Sequence, residues 1–340
     1  MSGPASIIFV VGNSRSGTTM MGRVLGGHSR VFTFNELHFF EQRWQPTLPP
    51  LSMSRDRAVR MAATLLTTQR DGYYTPGDPD QYLDEAARII EGIEGDLTPP
   101  AVFAAVLAHE SQRHGKAIGC DQTPRNLYYL DELLQLYPDA QAVVLVRDPR
   151  DVMLSQKHRW KRRLLGARRT PRWNALRTWA GYHPITMSLL WRGGMRAAER
   201  LADHPRVTLL RFEDLVADPE AQVQRLCERL GLAFEPAMLH VPRVGSSHRP
   251  DEPASKGIDP SAAQRWRQGG LTAIEQAICQ RLAGPTMQRW GYACEPVRAS
   301  WLAWAWSAAT WLFKSALAFA LNARRARSLT QALRRRWGTR

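Results

Sequence analysis

Ile7-Ile8-Phe9-Val10-Val11 is an apolar, β-branched-rich run with no polar alternation, and it leads directly into Gly12-Asn13-Ser14-Arg15-Ser16-Gly17-Thr18-Thr19. A strand without alternation is buried on both faces, as in the centre of a parallel sheet. The helical stretch Thr18 to Gly26 follows at once. A glycine loop between such a strand and a helix N-terminus aims backbone N–H groups at an anion, so the order of these three pieces predicts a phosphate site at the edge of a parallel sheet. The apolar run is too short for a secretory signal or a membrane span and reads as the first strand.

Two further units repeat the pattern. Ala142-Val143-Val144-Leu145-Val146 stops at Arg147, where Asp148-Pro149 supplies a capping acid and a proline at the first helical position. Arg206-Val207-Thr208-Leu209-Leu210 leads to Glu213-Asp214-Leu215 and a helix from about Pro219 to Leu230. Repeated strand-then-helix units predict an α/β fold: a P-loop-like parallel sheet covered by helices on both faces, with a C-terminal helical tail. The 340 residues suffice for one large α/β domain, assigned to 1–299. Residues 46–116, helical with loops and free of phosphate motifs, are expected to form an acceptor-side insertion, and residues 243–262 a surface loop or lid.

Charge narrows the ligands. Of the net charge of +15, eight units come from Lys314 and the seven arginines between Arg324 and Arg340, in a stretch 301–340 that holds no acid. The remaining body is only moderately basic, which suits an anionic ligand or membrane face, whereas a nucleic-acid partner would call for charge spread over the folded body. Cys120, Cys227, Cys279 and Cys294 form no C-x-x-C pair, so neither a zinc site nor a disulfide framework is expected and a reducing, cytoplasmic setting follows.

The tail changes character. Trp301, Trp304, Trp306 and Trp311 lie in an apolar stretch ending at Asn322, in which Ser307, Thr310 and Lys314 share one narrow helical face. Beyond it Ala326, Leu329, Leu333 and Trp337 line one face, with Arg324, Arg325, Arg327, Arg334, Arg335 and Arg336 on its flanks. That pattern fits a helix lying on an anionic membrane surface through 301–340, peripheral on the inner face. The alternative is a C-terminal helical hairpin packed on the domain or on a second subunit. Lys314 near the middle argues against a span.

The glycine loop has P-loop spacing, with Thr18 where the lysine of G-x-x-x-x-G-K-[ST] would stand. Without that lysine a γ-phosphate site is incomplete; Arg15 is the replacement cation, and Ser16, Thr18 and Thr19 add hydroxyls. Arg147 at a strand end and Ser155, two turns into the next helix, can converge on a second phosphate.

Arg15-Ser16-Gly17-Thr18-Thr19 resembles the 5′-phosphosulfate loop of PAPS-dependent sulfotransferases of the carbohydrate and tyrosyl-protein type, and Arg147 to Ser155 resembles the family's 3′-phosphate site. The resemblance implies donor binding by Arg15, Ser16, Gly17, Thr18, Thr19, Arg147 and Ser155, with PAPS as donor, PAP as product and no metal. Ser255-Lys256-Gly257, followed by Trp266, resembles the basic loop that closes over the nucleotide, which adds Lys256. Arg211-Phe212-Glu213-Asp214-Leu215 resembles the family's R-Y-E-D-L and is taken as mainly structural. In Asp121-Gln122-Thr123-Pro124, Gln122 stands where many relatives have lysine. Glu36, in Phe34-Asn35-Glu36-Leu37, resembles the family's catalytic glutamate and is assigned as general base, with Arg15 beside it in catalysis.

Outside the resemblance, Glu36 also reads as a cap or as an ion-pairing acid near Arg30 or Arg43, and His28 and His38 compete for the role of base. The basic run Lys157 to Arg172, with Trp160, is either a solvated helix face or a recruiter of an acidic acceptor or membrane. The acceptor is unidentified, an amphiphile or glycoconjugate being favoured by the tail. Two other functions compete. A P-loop kinase or nucleotide hydrolase is opposed by Thr18 and by the Arg147 to Ser155 spacing. A non-catalytic, membrane-attached nucleotide-binding protein is supported by Gln122 and opposed by Arg15 with Glu36.

Overall fold

The computed structural model describes residues 6–44, 46–73, 77–161, 172–243 and 251–322. The apolar run forms strand β1 (Ile7–Gly12), and helix α1 (Thr18–Gly26) follows the glycine loop. After β2 (Val31–Thr33) come α2 (Arg55–Arg70), α3 (Leu83–Glu91) and α4 (Pro99–Arg113). The chain continues through β3 (Ile118–Asp121), α5 (Leu130–Leu136), β4 (Gln141–Val146), α6 (Pro149–Lys157), α7 (Arg172–Gly181) and α8 (Pro184–Glu199). The last third holds β5 (Val207–Arg211), α9 (Phe212–Ala217), α10 (Pro219–Leu230), β6 (Pro242–Arg243), β7 (Glu252–Lys256), α11 (Ala273–Arg289) and α12 (Trp301–Asn322).

The five main strands form one sheet in the order β2-β3-β1-β4-β5, and every pairing is parallel. Successive side chains of a strand point to opposite faces, and both faces are covered. Ile7, Phe9 and Val11 join a core with Phe103, Val144 and Trp191, while Ile8 and Val10 join a second core with Met21, Leu25, Val143 and Leu226. This two-sided burial is why the first strand shows no alternation. The chain moves from β1 through α1 toward β2 and from β4 through α6 toward β5, so the strand order reverses direction between β1 and β4. In open parallel sheets that junction, at the carboxyl ends of the strands, is where ligands bind.

The expected insertion contains α2, α3 and α4. Arg70 joins all three: its guanidinium donates to both oxygens of Glu85 at 2.7 Å and also pairs with Glu110. The Arg70 hydrogen bonds hold the Glu85 carboxyl down to about 2. At the start of and within the expected loop 243–262, β6 and β7 form a short antiparallel pair. The Arg-flanked segment 324–337 and most of the basic run 162–171 lie outside the described residues.

Candidate active site

The loop after β1 is shaped by two left-handed residues. Ser16 N–H donates to the Asn13 carbonyl at 3.0 Å, and the turn sets φ at +79° for Arg15 and +99° for Gly17. A side chain at Gly17 would be strained by this φ and would also meet Phe212, whose Cδ2 lies 2.5 Å from where a Cβ would stand. Gly17 caps α1 without a side chain, leaving the first N–H groups of the helix open. The amide of Asn13 donates to the Trp191 carbonyl at 3.2 Å, and the indole of Trp191 donates to the Arg147 carbonyl at 2.9 Å. Helix α8 thus fastens the ends of β1 and β4 to one residue, Trp191.

Arg147 lies against that loop. Its Nη1 donates to the Arg15 carbonyl at 3.1 Å, its Nη2 to the Ala262 carbonyl at 2.6 Å, and the guanidinium stacks 4.1 Å from the centre of the Phe212 ring. Burial lowers its pKa, against which the charges of Asp151, Glu213 and Asp148 act. Arg15 in turn donates through Nε to Ser155 Oγ at 2.9 Å. Residues 132 and 140 positions apart in sequence are therefore in contact at the strand-order reversal. Two buried donors at this junction, Ser16 Oγ and Arg147 Nε, have no hydrogen-bond partner among the described residues. Buried polar groups in proteins are mostly paired, so two such donors beside open helix N–H groups have the character of an anion site.

The return segment is tied to α6. Trp266 N–H donates to Asp151 at 2.9 Å, and Arg150, paired with its neighbour Asp148 at 2.7 Å, stacks 3.7 Å from the Trp266 ring centre. Glu213 accepts from the Asp148 amide at 2.9 Å and from the Tyr292 hydroxyl at 2.8 Å, while Phe212 supports both Gly17 and Arg147. The Arg211 to Leu215 string thus braces the junction.

Glu36 stands three residues after β2, the strand at one edge of the sheet. Its carboxylate is 3.2 Å from His38 Nε2, and the His38 ring packs 4.5 Å from Tyr73. Burial alone would raise the Glu36 pKa; the hydrogen bond and charge of His38, with Arg159 and Arg125, outweigh it and hold the group below its ordinary value. Among the described residues Glu36 pairs with His38 and with neither Arg30 nor Arg43. His28 instead pairs with Glu235 at 3.5 Å and accepts from the Arg30 amide, a structural role.

Asp121, at the end of β3, was not singled out by the sequence. It is 1% exposed and accepts from Thr123 Oγ1 at 2.7 Å and from the Asn126 amide at 2.6 Å. Burial, aided by the charge of Glu36, pushes its carboxyl up to about 7 in spite of both hydrogen bonds. A raised folded-state pKa means that the native chain holds a proton the unfolded chain has released, so stability falls as pH rises from about 4 through about 7. Asp121→Asn keeps the shape and abolishes the buried charge. Thermal melts are expected to show the variant gaining on wild type by several degrees more at pH 8 than at pH 5, at roughly 1.4 kcal/mol per pK unit. An equal difference at both pH values would contradict an Asp121 that titrates near neutrality.

Of the expected site residues, Arg15 meets Ser155 through its side chain and Arg147 through its carbonyl, with Ser16, Gly17, Thr18 and Thr19 at the head of α1. Lys256 is exposed at the end of β7, and its side chain makes no hydrogen bond or ion pair among the described residues. Gln122 is buried against Gly22 of α1 with its carbonyl oxygen unpartnered. Cations near Glu36 come from Arg125 and Arg159 instead. Arg125 lies three residues beyond Gln122 and Arg159 one helical turn beyond Ser155; those spacings are the signal that could have found them.

Residues 7–236 match the sulfotransferase family. The chain is 27% identical over 315 residues to omega-hydroxy-beta-dihydromenaquinone-9 sulfotransferase Stf3 of Mycobacterium bovis, a match covering 84% of this chain and 75% of that one, and the Mycobacterium tuberculosis protein of the same name matches equally. Among solved structures, the sulfotransferase domain from the Synechococcus olefin synthase superposes with a TM-score of 0.52 at 21% identity, covering 87% of this chain and 98% of that domain. The sulfotransferase domain from the curacin biosynthetic pathway gives 0.51 at 20% identity over 85% and 99%. At these identities the structural matches speak to the fold alone.

Proposed function

The chain belongs to the sulfotransferase family, and from that premise we propose that it moves a sulfuryl group from PAPS to an acceptor hydroxyl or amine, leaving PAP. The observation that carries this reading is the contact of Arg15, Arg147 and Ser155 between β1 and β4, with the unpartnered donors Ser16 Oγ and Arg147 Nε beside them. The loop N–H groups, with Arg15, Ser16, Gly17, Thr18 and Thr19, hold the 5′-phosphosulfate; Arg147 and Ser155 hold the 3′-phosphate; Lys256 closes from the return segment. Bound PAPS supplies the sulfuryl group, whose bond to the bridging oxygen breaks as a bond from the acceptor to sulfur forms.

Glu36 takes the acceptor proton. A base must be ionised before it acts, and the lowered pKa keeps Glu36 a carboxylate at neutral pH. Arg15, Arg125 and Arg159 offset negative charge that develops on the sulfuryl oxygens and the departing phosphate, a role that needs no metal. Residues 1–299 constitute the sulfotransferase domain, 46–116 its acceptor side and 300–340 the tail. The acceptor is an amphiphile or glycoconjugate met by a cytoplasmic protein working peripherally at the membrane. The relative's name, which gives a hydroxylated menaquinone as acceptor, supports that choice. Among the described residues no helix is long and apolar enough to cross a membrane.

Calorimetry with PAP and with ATP, each with and without magnesium, tests the reading. Tight, metal-independent PAP binding is expected; preference for magnesium ATP would move the chain to kinase chemistry, and silence toward every nucleotide to a scaffold.

A further inference from the structure

Helix α12 is turned inside out. A surface helix ordinarily buries its apolar stripe and shows its polar face to water. Here Ser307 is buried, Thr310 lies 3.4 Å from His183 Nε2, the Trp311 indole donates to Thr186 at 3.0 Å, and Lys314 Nζ donates to the Tyr182 carbonyl at 3.1 Å. Lys314 also lies 4.5 Å from the centre of the Trp179 ring. Its ammonium thus sits at the C-terminal end of α7, where free carbonyls and the helix dipole favour a cation. Lys314 is the only charged residue between Trp301 and Asn322, so this contact leaves the outer face of α12 uncharged.

What remains outside is apolar. Trp301 is 75% exposed, Trp306 73%, Leu312 67% and Phe313 65%, and the packed neighbour α7 adds Trp173 at 54%. Isolated exposed apolar residues are ordinary, but a continuous face over two helices marks an interaction surface. The charge around it selects the occupant. There is no acidic residue from Val152 through Ala198, which includes α7, and none from Pro296 to Arg340, which includes α12. Basic residues lead into α7 at Arg159 and Lys161 and follow α12 at Arg324, Arg325 and Arg327. A second copy of the chain would set like charge against like. An anionic lipid surface matches both the apolar face and its positive surroundings, and tryptophan is the side chain that settles at the headgroup level.

We infer that the outer faces of α7 and α12 together form a docking surface for anionic lipid, with α12 lying in the interface and its polar stripe held against the protein. The inference rests on the peripheral-membrane reading and is independent of sulfuryl transfer. It adds α7 to the surface and makes Lys314 the lock that holds α12 with its apolar face outward.

The test is flotation of the full chain with phosphatidylcholine vesicles, with and without phosphatidylglycerol, alongside the double variant Trp306→Ser, Phe313→Ser. Both positions are exposed, so the fold is expected to survive. The wild type should float with the anionic vesicles, less so in high salt, and the variant should lose at least roughly tenfold in binding, since apolar burial and lipid charge act together. Unchanged PAP affinity by calorimetry in the variant separates this surface from the donor site. Wild type that stays with neither vesicle overturns the inference together with the peripheral reading, and equal flotation of the variant overturns this surface alone. Equal binding to neutral vesicles overturns the anionic assignment, and a wild-type dimer that the variant splits, seen by light scattering, assigns the face to a second copy.

Discussion

Glu36→Gln is expected to lower kcat by roughly 10²- to 10⁴-fold, the range for loss of a positioned general base, while PAP binds as tightly as in wild type. The glutamine has the shape of the glutamate and can still accept a hydrogen bond from His38, which lies 3.2 Å from the carboxylate. What it cannot do is take the acceptor proton. Calorimetry and steady-state rates on one preparation separate the two effects. A variant with wild-type turnover removes Glu36 as base and turns attention to His38 beside it. The same environment sets the pH profile. Because His38, Arg159 and Arg125 outweigh burial and hold Glu36 below its ordinary pKa, the acid limb of kcat/KM is expected below the usual carboxylate range. Replacing His38 with Gln should move that limb upward, since the hydrogen bond and charge that favour the ionised form both go.

Arg147→Ala should abolish useful PAP affinity, with a loss of roughly 2–5 kcal/mol as for a buried, hydrogen-bonded charge deprived of its partner. Three features of the site make the effect large. The guanidinium is hydrogen-bonded to the Arg15 and Ala262 carbonyls, so its removal loosens the glycine loop from the return segment. It stacks on Phe212, the ring that supports Gly17, so the floor of the loop is also disturbed. Asp151, 3.9 Å away, would keep a buried carboxylate without its nearest cation. Thermal melts of the variant are therefore expected to fall as well. Arg147→Lys separates the two contributions, since it retains the charge but not the fork that reaches two carbonyls at once. Its melting point should recover more than its affinity. Wild-type PAP binding by the alanine variant would take Arg147 out of the donor site.

The local parts of this molecule were open to a reading along the chain. Apolar runs without alternation at β1 and β4 could only be strands buried on both sides, and Asp148-Pro149 opens a helix as its capping chemistry predicts, while the helix expected from about Pro219 proves to be capped by Asp218. The boundary after β5 was less legible: the strand extends to Arg211 and α9 begins at Phe212, because Phe212 is drawn under the glycine loop by packing that no local preference encodes. Asp121 is illegible in the sequence for a related reason. The motif around it marks Gln122 as a substitution, whereas the significance of Asp121 comes from full burial within the field of Glu36, some 85 positions earlier in the chain.

The tail makes the same point in reverse. Ser307, Thr310 and Lys314 on one helical face follow from helical periodicity alone. Periodicity defines a face, but it does not say which way the face turns. That depends on whether partners await the polar groups, and here the carbonyls of Trp179 and Tyr182, the hydroxyl of Thr186 and the ring of His183 supply them. The sequence by itself determined the elements whose causes are local: strand, glycine loop, helix start and the charge of the tail. The tertiary structure decided which distant residues meet, Arg15 with Ser155 across 140 positions and Glu36 with the cations at 125 and 159. Contacts of that kind are settled by the packing of whole elements against two cores, and a linear chain carries that information only in the sum of all its side chains.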